Sequence, residues 1–89
     1  MLVTRQNIAQ KLIDYLCHRI TLSELVNWAE LSMMEADFEK HEYETLRDIT
    51  GRLGLADVKT FGITWEDCED FLNKLGYRVD LKISEIEAV

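Results

Sequence analysis

Four side chains are soft or borderline metal ligands and nucleophiles: Cys17, His18, His41 and Cys68. Structural zinc takes such ligands in tight pairs, two Cys or two His a few residues apart. No pair of that kind occurs. The adjacent Cys17 and His18 would project about 100° apart on a helix, too far to share one ion. A Cys–His nucleophile needs an imidazole against the thiol. Nothing in the sequence brings His18 or His41 to Cys68, which falls on an apolar stripe and reads as a small core residue. The run Glu66-Asp67-Cys68-Glu69-Asp70 lacks the central glycine of a calcium loop. At the start of a helix its carboxylates instead suit the positive end of the dipole. Phosphate-binding glycine loops, G-x-S-x-G and H-E-x-x-H are all missing. A helical chain of 89 residues rarely encloses a deep cleft. The reading is a protein that is not an enzyme and uses no metal or cofactor.

The elements follow from period and punctuation. The chain is 47% apolar and 30% charged, and it has no proline. That composition fits one packed domain rather than a disordered chain. Thr4 precedes a helical pattern over 5–19 with Ile8, Leu12, Ile13 and Leu16 on one stripe. Thr21-Leu22-Ser23-Glu24 is a capping box. It opens a second helix, 22 to about 35, with Leu22, Leu25, Val26, Ala29 and Met33 inward and Trp28 on the flank. A third helix over about 40–53 carries Tyr43, Leu46, Ile49 and Leu53, with Gly51 weakening it by about 1 kcal/mol relative to Ala. A short helical turn is expected over 56–61. Thr64-Trp65-Glu66-Asp67 opens a fourth helix, 65–75, with Trp65, Cys68, Phe71, Leu72 and Leu75 inward. Gly54-Leu55, Gly62-Ile63 and Gly76-Tyr77 each read as a left-handed cap followed by an apolar residue that folds back.

The pattern then changes period. Tyr77-Arg78-Val79-Asp80-Leu81-Lys82-Ile83 alternates apolar and polar without exception, which predicts a half-buried strand. Its face is Tyr77, Val79, Leu81 and Ile83. A lone strand needs a partner for its N–H and C=O groups. Residues 1–4, the same strand of a second copy, or a strand of another protein would each serve. The expected architecture is therefore mainly α: four main helices, a helical turn and one C-terminal strand. The domain spans 1–83, and 84–89 is expected to fray.

Charge narrows the functional classes. There are 17 acidic and 10 basic residues, a net charge of −7. No Lys/Arg cluster exists to neutralise phosphates or an anionic membrane. The longest apolar runs have three residues, far short of a membrane span or signal peptide. Two cysteines make no disulfide framework, and a cytoplasmic location is expected. Residues 30–48 carry seven acids against two bases. Met34, Glu35, Asp37, Phe38, Glu39, Glu42 and Glu44 stand together there as a candidate surface for a basic protein partner.

The segment Ile8–Trp28, I-x-x-x-L-I-x-x-L-x-x-x-I-T-x-x-E-L-x-x-W, resembles the opening of the small helical, colicin-D-like immunity proteins of bacteria. Those proteins also begin with an apolar helix, an Ile-Ser/Thr turn and a second helix bearing an aromatic residue. The resemblance implies an inhibitor that covers the active site of a basic nuclease toxin with acidic groups. It transfers no individual site residue, and Gly76–Ile83 lies outside it. The expected function is a non-catalytic acidic interaction module. The alternative is a structural homodimer joined through strand 77–83.

Overall fold

Threonines start three of the four helices. In the computed structural model, which describes residues 1–87, these are α1 (Arg5–Leu16), α2 (Leu22–Glu35), α3 (Tyr43–Leu53) and α4 (Trp65–Lys74). Thr4, Thr21 and Thr64 each accept a hydrogen bond from the third residue of their helix, whose side chain accepts in return from the threonine N–H. Each box satisfies donors that would otherwise be orphaned at a helix start. α3 has no such cap. Its first turn follows Glu42, held left-handed at φ 60°, so the helix begins at Tyr43 rather than near residue 40.

α1 also ends earlier than its apolar period suggests. His18 is left-handed at φ 61°. The N–H of Arg19 donates to Asp14 O at 2.8 Å, and that of His18 to Tyr15 O at 3.1 Å. These bonds form a Schellman stop without the usual glycine. Gly76, at φ 92°, makes the same motif after α4: Tyr77 N–H donates to Leu72 O at 2.8 Å and Gly76 N–H to Asn73 O at 3.0 Å. Gly54 departs from expectation. It is right-handed at φ −64°, and the chain runs on into consecutive turns instead of reversing. Those turns occupy the segment where a short helical turn is expected, 56–61, with Val58 N–H donating to Leu55 O at 3.0 Å and Phe61 N–H to Val58 O at 2.9 Å, and they close at Gly62, φ 61°. Arg52 ties them down, with its guanidinium 5.7 Å from the Phe61 ring centroid and 3.5 Å from the Asp67 carboxylate.

The sheet differs from the expected one. β1 (Leu2–Val3) pairs in parallel with β2 (Asp37–Phe38), register Leu2 to Asp37 and Val3 to Phe38. α1 and α2 form the crossover that a parallel pair requires. Asp37 N–H donates to Met1 O at 2.8 Å and Glu39 N–H to Val3 O at 2.9 Å. This pairing joins the N-terminal residues, one of the expected partners of 77–83, to β2 instead. Residues 77–83 form no strand, and among the described residues no backbone hydrogen bond reaches 78–87. Tyr77 and Val79 are half-buried against the core, whereas Leu81 and Ile83 are 65% and 84% exposed. Residues 84–87 are exposed coil, and the rest of the tail expected to fray, 88–89, lies outside the described residues.

One apolar cluster joins all the elements: Val3, Ile8, Leu12, Leu25, Ala29, Phe38, Leu46, Ile49, Leu53, Cys68, Phe71, Leu72 and Leu75. α2 and α3 make the most extensive pairing, while α4 packs on α1. Two residues assigned inward, Tyr43 and Trp65, are instead partly exposed at the surface. Buried Thr50 donates its hydroxyl to Leu46 O at 2.8 Å, which removes the cost of burying it. At the far end of the cluster, Arg5 Nη1 donates to Leu75 O at 3.1 Å and its guanidinium lies 5.9 Å from the Tyr77 ring. A cation there meets the negative end of the α4 dipole.

Two glycine substitutions should move stability in opposite directions. Gly76→Ala forces a left-handed alanine and sets its Cβ 3.2 Å from Arg5 Nη1; it should cost about 1–2 kcal/mol or more. Gly51→Ala sits inside α3, where the new Cβ meets only Met33 at ordinary distance, and should gain about 0.5–1 kcal/mol. Urea unfolding midpoints read both.

Candidate functional site

The acidic segment becomes the end of α2, β2 and the start of α3. Met34, 80% exposed, stands on the last turn of α2. Glu35, Asp37, Glu42 and Glu44 are exposed, and Glu39 is half-buried. Phe38 is the correction. It is only 7% exposed, because pairing with Val3 turns its ring into the core, where it meets Tyr43 edge-on at 6.1 Å. It supports this surface from beneath and shows only its rim to the outside.

Beside β2 lies an open depression of about 560 Å³ lined by Leu2, Asp37, Phe38, Glu39, Lys40 and Tyr43. Three of these residues, Leu2, Lys40 and Tyr43, were not singled out as binding residues in the sequence. Tyr43 belongs to the apolar stripe of α3 but is 46% exposed. Leu2 arrives by the β1–β2 pairing, and a two-residue strand has no period that sequence can show. Met34 does not line the depression.

The electrostatics of this edge are uncompensated. Across residues 35–44 there are five carboxylates and one lysine. Among the described residues none of the five forms an ion pair or a side-chain hydrogen bond. The four ion pairs among the described residues engage Asp14, Asp67, Asp70 and Asp80 instead. Like charges held together without counter-ions raise the local potential for a cationic partner.

The candidate chemistry around the thiols takes a different form. His18 and Cys68 do line one depression, of about 330 Å³, together with Tyr15, Leu16, Thr64 and Trp65. The sequence has no signal for this meeting, since the left-handed turn at His18 creates it. The thiol there is buried and free. Burial, with a smaller contribution from the Asp67 carboxylate, pushes its pKa up to about 11. A thiol in that state is protonated at neutral pH and is a poor nucleophile. Among the described residues no three His, Cys, Asp or Glu side chains converge as a metal cluster. No described helix is long and apolar enough to cross a membrane.

With this geometry in place, comparison with known proteins adds no relative: no family model, no curated protein and no solved structure matches the chain.

The two thiols should separate cleanly. Exposed Cys17 should react with a disulfide reagent at pH 8, and Cys68 only on unfolding. The raised Cys68 pKa also sets a pH dependence. Its thiol form favours the fold below the ordinary thiol pKa of 9.0, and that contribution fades as pH climbs to about 11. The stability advantage of wild type over Cys68→Ala in urea should therefore shrink between those two pH values.

Proposed function

We propose that this chain is a non-catalytic module that docks a basic protein partner through the acidic edge formed by the end of α2, β2 and the start of α3. The observation that carries this reading is the depression beside β2, with apolar Leu2 and Tyr43 next to five carboxylates that no lysine or arginine among the described residues neutralises. A surface that only needed to be solvated would not pair unmatched charge with an aromatic ring in a concave site.

The mechanism has two stages. Unscreened carboxylates steer a cationic partner, a long-range effect that can raise association rates about 10- to 1,000-fold and falls with ionic strength. Tyr43, Leu2 and Met34 then supply apolar contact, and a partly exposed tyrosine is a favoured anchor. Phe38 and Val3 hold the floor of the site rigid from within the core.

The resemblance of Ile8–Trp28 to the colicin-D-like immunity proteins supports a concrete version: an inhibitor that covers the basic active site of a nuclease toxin. That version places the module in the cytoplasm, where both free cysteines remain thiols. It requires neither nucleic acid nor membrane.

The test replaces Glu35, Asp37 and Glu39 together with lysine. Wild type and the variant serve as bait in the cell of origin and in salt-series binding kinetics with whatever basic protein is retained. Association with the triple variant should be slower by about tenfold or more at low salt and should lose most of its salt dependence. Equal kinetics for the two proteins would remove the acidic edge as the docking surface.

A further inference from the structure

Residues 77–83 keep a strict strand pattern, yet among the described residues nothing pairs with them as a strand. Their backbone groups beyond Tyr77 make no hydrogen bond with any described residue, and the apolar face runs from half-buried Tyr77 and Val79 out to exposed Leu81 and Ile83. An open edge of this kind is a template for another strand. The charge pattern selects which one.

Consider two copies paired antiparallel about a twofold axis. Opposite residues in a sheet share a face, so the apolar residues stay together only if the axis passes through a residue. An axis at Asp80 sets Asp80 against Asp80 and Arg78 against Lys82. An axis at Lys82 sets Lys82 against itself. An axis at Val79 runs the pairing back into the Gly76 helix stop and leaves Ile83 without a partner. An axis at Leu81 pairs Asp80 with Lys82 on both sides of the axis, pairs Val79 with Ile83 on both sides, and places Leu81 against Leu81. All like-charge pairs vanish in that register.

We infer that this chain forms a homodimer in which residues 78–84 of two copies make an antiparallel ribbon centred on Leu81. Asp80, which reaches Arg78 at 3.2 Å, lies between its own Arg78 and the other copy's Lys82, so each edge of the ribbon carries a three-charge network. A two-stranded ribbon alone is marginal in water. This one has a support, because Val79 and Leu81 already line a depression of about 370 Å³ with Ile13, Leu16 and Trp65. The ribbon's apolar face lies over these side chains in both copies. The acidic edge beside β2 involves none of the ribbon residues, so the dimer and the docking reading stand or fall separately.

The experiment is sedimentation equilibrium on the full chain from low to high micromolar concentration. The expected mass is twice the 10.4 kDa of one chain. Asp80→Lys and Lys82→Asp should each weaken the dimer about tenfold by making like-charge pairs. An equimolar mixture of the two variants should regain most of the wild-type association, because both charged cross-strand pairs are then again Lys against Asp and only the Arg78–Asp80 contact of one copy is lost. In a Cys17→Ser background, Leu81→Cys should cross-link on mild oxidation faster than Ser84→Cys, which faces Arg78. The altered positions are exposed, so the helical circular dichroism should not change. A monomer at every concentration would overturn the dimer. A dimer indifferent to Lys82→Asp would overturn the register.

Discussion

A ladder of two residues on each side decides what this helical chain can offer its surroundings. Val3 lies opposite Phe38 in parallel register, and the amides of Asp37 and Glu39 close onto Met1 and Val3 carbonyls. The hydrogen bonds are few, but they set the direction of two apolar side chains, both in the core. A one-residue slip of β2 against β1 would set Asp37 opposite Val3, turning the Asp37 carboxylate inward and Phe38 outward. Burying a carboxylate without a partner costs far more than the slip could return, so the register is well determined.

Two consequences spread from that ladder. On the β2 side, Asp37 and Glu39 flank an inward-turned Phe38, so acid groups line a concave edge whose floor is part of the core. On the other side, the first residues of the chain pair with β2 and not with residues 77–83. The Schellman stop at Gly76 then releases an alternating segment along the surface of α1 and α4 with its outer half uncovered. The shape of the molecule records this. Its Cα radius of gyration is 14.2 Å, against about 12 Å for a compact chain of this length. Arg5 couples the two regions, since it begins α1 directly after the ladder and holds the last carbonyl of α4.

Local signals in the sequence carried the helices well. Thr21 with Glu24 and Thr64 with Asp67 are boxes whose chemistry is complete within four residues, and they form as read. Gly76-Tyr77 works for the same reason. The failures share a different cause. Gly54 has the right neighbours for a left-handed stop, but the turns anchored by Arg52 carry the chain onward. His18 takes a left-handed stop with no glycine to announce it, and so reaches the Cys68 depression. Phe38 and Leu2 depend on a pairing between residues 35 apart in sequence, through strands too short to show a period. The alternation at 77–83 is real, but it finds no strand partner among the described residues. The acidic segment was legible as charge; which of its side chains face outward was not.

Amide hydrogen exchange under native conditions probes the ladder directly. The account predicts that the Asp37 and Glu39 amides, although close to the surface, exchange as slowly as the core amides of α2 and α3, because freeing them requires Val3 and Phe38 to leave the core. Rapid exchange at those two amides, with α2 and α3 still protected, would show that the ladder opens on its own and that the rest of the fold does not depend on it.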